Sequence, residues 1–470
     1  MDQSQTPTTP HVVLLSSPGM GHIIPLAAFA VCLTRHHGLS VTLISNTITS
    51  NQQSLQDFLS SNQVELLSLE DPNEPPPSSM NLNVESRIWQ IIASTMPNVH
   101  SKIKSIARTS HLAAIIVDPF YLDALATAKE LSIPCFLFFT SNCMVLSLVY
   151  ALPSLDEQFL DQFCNLPEPV QLPGCVPIQG IDLHFAVQDR TTEVYKEFLC
   201  CTKRFKEVSG VLVNSFGELE PGPTKGLKEF EAMPPVFPVG PFIRTSSTSP
   251  GQENECLRWL DQQQHGSVVF VSFGSGGALT WQQTKELALG LEMSKQNFLW
   301  VARRPNDKES TAYFFESKNM QGKLDFLPEG FLTRTEKVGL VIPDWAPQLE
   351  VLSHPAVGGF MTHCGWNSVL ESVVHGVPLI AWPLYAEQRM NAVLLTDDVK
   401  VAIRPKQDNS GMIGQEEVSR VVRCLMQGKD SERLKLRAQE LSHEAANSLE
   451  GGSSFKNLLQ VTRLLKSSVI

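Results

Sequence analysis

Two side chains in the N-terminal half have the types and positions of a proton-transferring pair. His22 follows a Ser-Pro-Gly-Met-Gly turn at 17–21, and Asp118 follows a short apolar run at 113–117. If the preceding apolar runs are parallel strands, both side chains lie at one edge of a sheet. An aspartate there would fix the imidazole tautomer and stabilise the imidazolium formed on proton uptake. Each residue also has an alternative interpretation. His22 could simply be a polar residue at the start of a helix, and Asp118 could be an N-cap ahead of Pro119.

The same glycine turn also permits a dinucleotide-binding interpretation, which the sequence supports only in part. Gly19 and Gly21 fit the first two glycines of a G-x-G-x-x-G fingerprint, but Ile24 occupies the third position. The acidic residue expected after the second strand is also missing, because that run ends in Ser45 and Asn46. A nicotinamide-dependent oxidoreductase is therefore the weaker alternative. The sequence also lacks the Gly-x-Ser-x-Gly elbow of a serine hydrolase.

The densest group of polar candidates lies between residues 345 and 388. A predicted strand at 358–361 leads through a loop containing His363 into a predicted helix. The N-terminus of a helix offers free backbone N–H groups and positive dipole charge, which suit a diphosphate. Ser368 and Glu371 have capping-box spacing, so ligand binding and helix capping both remain open. His363 could donate to a phosphate oxygen or pack beneath the loop.

The sequence contains none of the common metal-binding spacings. Neither an Asp-x-Asp pair nor a His-Glu-x-x-His motif occurs, and the ten cysteines form no Cys-x-x-Cys pair. We therefore expect no metal, and we expect a leaving diphosphate to be stabilised by a helix terminus and side chains. The cysteines are interpreted as free thiols in a reducing compartment.

Composition excludes several classes of protein. The formal charge is -11, from 37 basic and 48 acidic residues, and no basic run occurs, which argues against nucleic-acid or membrane-surface binding. The apolar stretch 133–152 is interrupted by Pro134 and by polar residues at 140–142, so it is interpreted as a buried strand followed by a helix rather than a membrane span. The polar N-terminus does not resemble a secretory signal. We expect a cytoplasmic protein without a membrane span.

The secondary-structure elements that must position these residues repeat in the same order in each half of the chain. Short apolar runs alternate with helical segments, which is typical of parallel sheets buried on both faces. The predicted strands are 11–16, 40–45, 113–117, 135–139, 211–214, 267–273, 298–301, 339–342, 358–361 and 378–382. The predicted domains are 1–244 and 257–454, joined by a linker at 245–256, with surface loops at 71–79 and 303–325. The expected fold class is α/β, with two facing doubly wound domains.

The segment from Trp345 to Gln388 spans 44 residues and closely resembles the signature of plant secondary-product (family 1) UDP-glycosyltransferases. It contains Trp-Ala-Pro-Gln, His-Cys-Gly-Trp-Asn-Ser and Trp-Pro-Leu-Tyr-Ala-Glu-Gln in the order of that signature. The resemblance extends to residues 18–22, 270–275 and 327–331. It implies the GT-B fold of two facing Rossmann-like domains, with a C-terminal helix at 455–470 packing back on the first domain. It also implies metal-free transfer of a sugar from a UDP-sugar with inversion.

The resemblance assigns side chains to each part of the UDP-sugar. Trp345 would stack on uracil, with Gln348 and Glu371 near the base and ribose. The implied diphosphate contacts are His363, Asn367, Ser368 and Ser275. The implied sugar contacts are Trp366, Glu387, Gln388 and, from the N-terminal domain, Thr140. Glutamine at the last signature position usually accompanies glucose donors in this family. Glu387 stands where many members have aspartate, and both residues can accept sugar hydroxyls.

Within this resemblance, His22 corresponds to the general base and Asp118 to its partner. The implied reaction is a single displacement in which the acceptor oxygen attacks the anomeric carbon and UDP leaves from the opposite face. An α-linked donor would then give a β-glucoside. A catalytically inactive protein that keeps the nucleotide site is a further alternative, disfavoured because both His22 and Asp118 are present.

The acceptor is expected to bind mainly in the N-terminal domain. Candidate pocket residues are Trp89, Phe120, Leu183 and Phe185, and each has an ordinary core position as its alternative. Sequence features at 16–22 and 165–178 resemble the hydroquinone-type phenol glucosyltransferases. That resemblance implies a small planar aromatic hydroxyl, such as a phenol, hydroquinone, monolignol or indoxyl. We expect a monomer.

Overall fold

Two parallel sheets, one in each half of the chain, form the frame of the computed structural model. The structure describes residues 9–46, 52–69, 83–243, 254–312, 314 and 322–467. The first sheet has the order β3-β2-β1-β4-β5-β6-β7. Its strands are β1 (His11–Ser16), β2 (Ser40–Ser45), β3 (Glu65–Ser68), β4 (Leu112–Val117), β5 (Cys135–Phe139), β6 (Gly210–Val213) and β7 (Val236–Pro238). The strand order reverses between β1 and β4, so the loops after these two strands border one crevice.

The second sheet repeats this arrangement with six strands in the order β10-β9-β8-β11-β12-β13. Its strands are β8 (Val268–Ser272), β9 (Asn297–Ala302), β10 (Gly339–Pro343), β11 (Val357–Thr362), β12 (Leu379–Ala381) and β13 (Ala402–Ile403). Here the order reverses between β8 and β11, which places the loops after those strands at a second crevice. Two Rossmann-like α/β sheets were predicted, and this fold class is confirmed.

Helices cover both faces of each sheet. In the N-terminal half they are α1 (Met20–His37), α2 (Gln52–Ser61), α3 (Val84–Thr109), α4 (Leu125–Glu130), α5 (Cys143–Gln158), α6 (Glu193–Arg204) and α7 (Pro221–Gly226). Short 3₁₀ turns lie at Pro119–Ala124, Phe163–Asn165, Gly180–Asp182, Phe185–Val187, Phe205–Glu207 and Leu227–Glu229.

In the C-terminal half, the helices are α8 (Glu255–Leu260), α9 (Trp281–Ser294), α10 (Phe331–Thr335), α11 (Gln348–Ser353), α12 (Trp366–Val374), α13 (Gln388–Val393), α14 (Gln415–Met426), α15 (Gly428–Leu449) and α16 (Ser453–Ser467). A π-helical turn at Leu394–Asp398 extends α13. Every residue of β4, β5, β8 and β11 is buried, because helices cover these central strands on both sides.

The last helix returns to the N-terminal half. Leu458, Val461 and Leu465 of α16 belong to the same buried apolar cluster as strand residues of the first sheet. The side chain of Asn457 donates to the Pro238 carbonyl at 2.7 Å, and that of Ser454 donates to the Gly240 carbonyl at 2.6 Å. The end of the chain therefore ties the two halves together.

Some predicted segments differ from the structure or fall outside it. The predicted linker at 245–256 lies outside the described residues as far as 253; Asn254 caps α8, and that helix begins at Glu255. The predicted loop at 71–79 and the stretch 315–321 of the second loop lie outside the described residues. The apolar stretch 133–152 contains β5 and α5 as predicted. Among the described residues, no helix combines the length and apolarity needed to cross a membrane.

Candidate active site

His22 and Asp118 meet at the crevice of the first sheet. Nδ1 of His22 lies 3.2 Å from Oδ2 of Asp118, whose side chain is fully buried. The same oxygen accepts the backbone N–H of Ser17 at 2.6 Å, and Oδ1 accepts that of Phe120 at 3.1 Å. Asp118 is therefore both the helix cap allowed by the sequence and the partner of the imidazole. When Nδ1 donates to this carboxylate, Nε2 of His22 is left as a proton acceptor.

Two further groups adjoin the imidazole. Oγ1 of Thr140 lies 3.5 Å from Nδ1 of His22. On another side, the Phe120 ring lies edge-on to the imidazole, with ring centroids 5.5 Å apart. The Trp89 ring follows, with its centroid 5.2 Å from that of Phe120. These rings form an aromatic row that begins at the imidazole and can pack against a flat apolar molecule.

At the crevice of the second sheet, His363 is enclosed by two glycines. A Cβ atom on either Gly274 or Gly365 would approach the imidazole to 2.4 Å, so neither position has room for a side chain. Burial, together with the nearby positive charge of Arg303, lowers the pKa of His363 to about 4. The imidazole is therefore neutral at neutral pH and can donate one N–H.

The helix after this loop begins earlier than the sequence spacing indicated. Gly365 is the N-cap of α12, so Ser368 lies inside the first turn and the proposed capping box between Ser368 and Glu371 is wrong. The Gln348 side chain amide instead donates to Ser368 Oγ at 2.9 Å and to Glu371 Oε2 at 2.6 Å. The hydrogen bonds hold these three side chains in one polar cluster. The Trp345 side chain nearby in the chain is 59% exposed.

Trp366 and Asn367 connect the two halves at the start of α12. The indole N–H of Trp366 donates to the Asn214 carbonyl at 2.7 Å, and the side chain is buried. The Asn367 side chain amide donates to the Gly21 carbonyl at 3.2 Å, beside His22. The indole of Trp366 therefore points into the interface between the halves.

The turn before α13 carries the last two candidates. Oε1 of Gln388 accepts the backbone N–H groups of Leu384 and Tyr385 at 2.9 and 3.0 Å, which leaves the amide nitrogen for other partners. Glu387 Oε1 lies 3.4 Å from Ser141 Oγ of the N-terminal half. Burial raises the pKa of Glu387. Because Ser141 adjoins Glu387 and the preceding residue, Thr140, adjoins His22, the two groups border the same crevice.

The remaining pocket candidates lie at and before the 3₁₀ turn Phe185–Val187. Leu183 is fully buried, whereas Phe185 is 51% exposed. The backbone N–H of Phe185 donates to the Ala386 carbonyl at 2.8 Å. The segment that holds these two residues therefore contacts the turn before Glu387.

Sequence reasoning missed Arg303, Ser141, Asn142 and Asn391. Arg303 follows β9 and donates to the backbone carbonyls of Ser275 and Asp344. Its place at the carboxyl end of a strand is a signal that could have identified it. The other three residues take part in contacts between the halves, for which the sequence offers no pattern.

Within the part of the chain that the structure describes, no group of three or more His, Cys, Asp or Glu side chains is arranged to hold a metal ion. The donor groups around both crevices are instead imidazole, amide and hydroxyl groups together with a helix N-terminus. Such a set can hold a phosphate-bearing molecule by hydrogen bonds.

Comparison with known proteins gives consistent matches over nearly the whole chain. Residues 230–430 match the family model described as UDP-glucoronosyl and UDP-glucosyl transferase. The hydroquinone glucosyltransferase of Rauvolfia serpentina is 46% identical over 460 residues, covering 96% of this chain and 97% of the relative.

Solved structures match equally well. A Phytolacca americana enzyme, UGT2, complexed with UDP-2-fluoro-glucose and pterostilbene, has a TM-score of 0.86 at 40% identity, covering 97% of this chain and 100% of that one. A UDP-glucosyltransferase from Polygonum tinctorium capable of glucosylating indoxyl, complexed with 3,4-dichloroaniline, has a TM-score of 0.87 at 43% identity, covering 98% of this chain and 100% of that one.

Proposed function

The chain belongs to the UDP-glycosyltransferase family, and on this premise we propose that it transfers glucose from UDP-glucose to the hydroxyl of a small aromatic acceptor, with His22 as the general base. The observation that carries the proposal is the 3.2 Å contact between His22 and the buried Asp118, at a crevice that Glu387 also borders through the adjacent residues Thr140 and Ser141. The named relatives act on hydroquinone or on indoxyl, which supports an aromatic acceptor. Family membership removes the nicotinamide-dependent alternative.

The proposed reaction is one displacement at the anomeric carbon. Nε2 of His22 takes the hydroxyl proton while the acceptor oxygen forms a bond to that carbon. The bond from the carbon to the phosphate oxygen breaks, and UDP leaves with the electron pair. Asp118 stabilises the imidazolium that results, and displacement from the opposite face gives a β-glucoside. His363 and the N-terminus of α12 bind the diphosphate of the UDP as it leaves.

The sugar lies in this scheme between the two halves. Glu387 and Gln388 accept or donate hydrogen bonds at its hydroxyls, and Thr140 reaches it from the side of His22. Gln348 and Glu371 are joined by a 2.6 Å hydrogen bond, which fixes the carboxylate where it can accept the ribose hydroxyls. Incubation of the purified protein with UDP-glucose and a panel of phenols, hydroquinones, monolignols and indoxyl, read by mass spectrometry, tests this function. Absence of any glucoside would refute it and would favour an inactive UDP-sugar-binding protein.

Replacing Trp345 by alanine should weaken UDP binding without destabilising the fold. The indole is 59% exposed, so its loss removes little buried area, whereas stacking on a base contributes about 1–3 kcal/mol. We expect the Kd for UDP to rise about 5- to 150-fold, measured by calorimetric titration. The matched control is Trp281→Ala, because Trp281 is also exposed (44%) and packs instead against Arg304. Equal Kd values for the two variants would remove Trp345 from the base site.

Replacing Phe120 by alanine should separate acceptor binding from donor binding. The ring lies between His22 and Trp89, so its removal deletes the middle of the aromatic row. We expect the KM for a phenolic acceptor to rise about tenfold, since a fully buried aromatic contact contributes about 1.5 kcal/mol or more. The Kd for UDP should stay within about twofold. A variant with an unchanged acceptor KM would assign Phe120 to the core alone.

We also propose that the enzyme is a monomer in the cytoplasm. The ten cysteines are all free thiols, which suits a reducing compartment. Sedimentation of the purified protein at several concentrations tests the first statement, and a dimer mass would overturn it. The location of a fluorescent fusion in plant cells tests the second.

A further inference from the structure

Three consecutive residues before α5 contact three different parts of the proposed site. Thr140 lies 3.5 Å from the His22 imidazole, and Ser141 lies 3.4 Å from the Glu387 carboxylate. The next residue, Asn142, donates through Nδ2 to Oδ1 of Asn391 in α13 at 2.6 Å. One short segment of the N-terminal half therefore contacts His22, which is the proposed base, Glu387, which is proposed to bind the sugar, and α13, the helix that follows Glu387.

The orientations of both amides follow from their neighbours. Oδ1 of Asn142 accepts the backbone N–H of Val145 at 2.9 Å as the cap of α5, so its Nδ2 must face Asn391. Asn391 presents Oδ1 to that donor, and its own Nδ2 faces the Cys364 carbonyl at 2.9 Å and Glu387 Oε1 at 3.4 Å. Asn142 thus binds one partner in its own half and Asn391 binds two, and each amide also binds its counterpart across the interface.

Both asparagines are fully buried, so the cost of losing either partner is high. Their exposed fractions are 0%. A buried amide group left without a partner loses its hydration without compensation, whereas the pair is satisfied only when the two halves dock in this register. Apolar contacts alone would permit several ways of docking the two halves. A buried polar pair of this kind favours the one docking in which its hydrogen bonds form.

The N-terminal side of the pair is firmly anchored. The buried carboxylate of Glu220 accepts the backbone N–H groups of Cys143 and Met144, each at 3.0 Å, and the hydroxyl of Ser215. These contacts fix the first turn of α5 and therefore the position of Asn142. Because Asn142 is hydrogen-bonded to Asn391, it also fixes the position of α13, whose N-cap is Glu387.

From these contacts we infer that Asn142 and Asn391 are positioning residues that hold Glu387 in place for the donor sugar. The inference rests on the proposed function, because it takes Glu387 as a sugar contact. The hydrogen bonds of the two asparagines go to Val145, Cys364, Glu387 and each other rather than to Gln348 or Glu371, which are assigned to the base and ribose. Loss of the pair should therefore weaken binding of UDP-glucose more than binding of UDP.

The first test is Asn142→Ser. Serine caps a helix about as well as asparagine, so α5 keeps its cap, but the shorter side chain cannot reach Asn391. We expect the ratio of the Kd for UDP-glucose to the Kd for UDP to rise about five- to tenfold, as the loss of one buried hydrogen bond implies. Both Kd values are measured by calorimetric titration without acceptor.

The matched control is Asn254→Ser. Asn254 caps α8 by accepting the backbone N–H of Cys256 at 2.9 Å, and this cap serves a helix outside the proposed site. The control should keep the ratio of the wild-type protein, and its melting temperature provides the reference for the cost of changing a cap. A second variant, Asn391→Ala, and the double variant complete a cycle. We expect the double variant to have the same ratio as the more affected single variant.

The outcomes separate this inference from the proposed function. If the unaltered protein neither binds UDP-glucose nor forms a glucoside, the proposed function fails. If the unaltered protein does both but Asn142→Ser leaves the Kd ratio unchanged, or weakens UDP and UDP-glucose equally, the positioning role is refuted. Additive effects in the cycle would also refute it, because two residues acting as a pair cannot be lost independently.

Discussion

Alanine in place of His22 is expected to lower kcat by about 10²- to 10⁴-fold, which is the usual contribution of a positioned general base. The physical reason is that the acceptor hydroxyl keeps its proton as its oxygen approaches the anomeric carbon, so the barrier rises by about 3–5 kcal/mol. The side chain is 20% exposed, so the fold should tolerate the change. Initial rates with saturating UDP-glucose and a phenolic acceptor measure the effect.

Two comparisons make this result specific to the base. The Kd for UDP-glucose should stay within about twofold, because no donor contact is assigned to His22. His36→Ala alters an exposed histidine on the same helix, α1, and should keep the turnover of the unaltered protein. Turnover near normal in His22→Ala would remove the proposed mechanism while leaving the family assignment intact.

The central strands could be predicted from sequence because they are buried on both faces. The apolar runs at 11–16, 40–45 and 135–139 coincide with β1, β2 and β5. The three strands that were missed are short and lie at or near sheet edges. β3 contains a glutamate and a serine, β7 ends in proline, and β13 has two residues, so none forms a distinct apolar run.

The two crevices of the site were also accessible to sequence reasoning, since the carboxyl ends of parallel strands share one edge of a sheet. That rule was enough to bring His22 and Asp118 together. It could not predict the contacts between the halves, because Trp366 binds a carbonyl 152 positions earlier in the chain. The spacing of Ser368 and Glu371 was misleading for a local reason: Gly365 already begins the helix.

The two halves contribute different parts of the proposed chemistry. The N-terminal half supplies the base, its carboxylate and the aromatic row, whereas the C-terminal half supplies the groups assigned to the nucleotide. In the proposed reaction the reacting atoms lie where both halves meet, so we expect the rate to depend on the docking of the halves. The hydrogen bonds from Trp366 to Asn214 and from Asn367 to Gly21 contribute to that docking beside the asparagine pair.

Asparagine in place of Asp118 should lower kcat on the same scale as the loss of His22, by about 10²- to 10⁴-fold. The carboxylate accepts three N–H groups, from Ser17 and His22 at Oδ2 and from Phe120 at Oδ1. An amide has a single oxygen, so in either orientation its NH₂ faces a backbone N–H. When the NH₂ lies toward Ser17, it also faces His22, whose Nδ1 must then be the acceptor. The proton then moves to Nε2, and the base is lost. When the oxygen lies toward Ser17 and His22, Nδ1 keeps its proton, but the neutral amide no longer stabilises the imidazolium with a negative charge.

The same reasoning predicts a second effect, which separates Asp118 from its neighbours. A buried donor without an acceptor should lower the free energy of unfolding by about 1–3 kcal/mol, measured by urea denaturation. Asp123→Asn is the matched control, because Asp123 lies in the 3₁₀ turn that Asp118 caps but is exposed and pairs with Arg204 at 2.6 Å. It should keep both turnover and stability. Since His22 and Asp118 act as a unit, the double variant should be no slower than His22→Ala alone. A further loss in the double variant, or normal turnover in Asp118→Asn, would show that the carboxylate does not act through the imidazole.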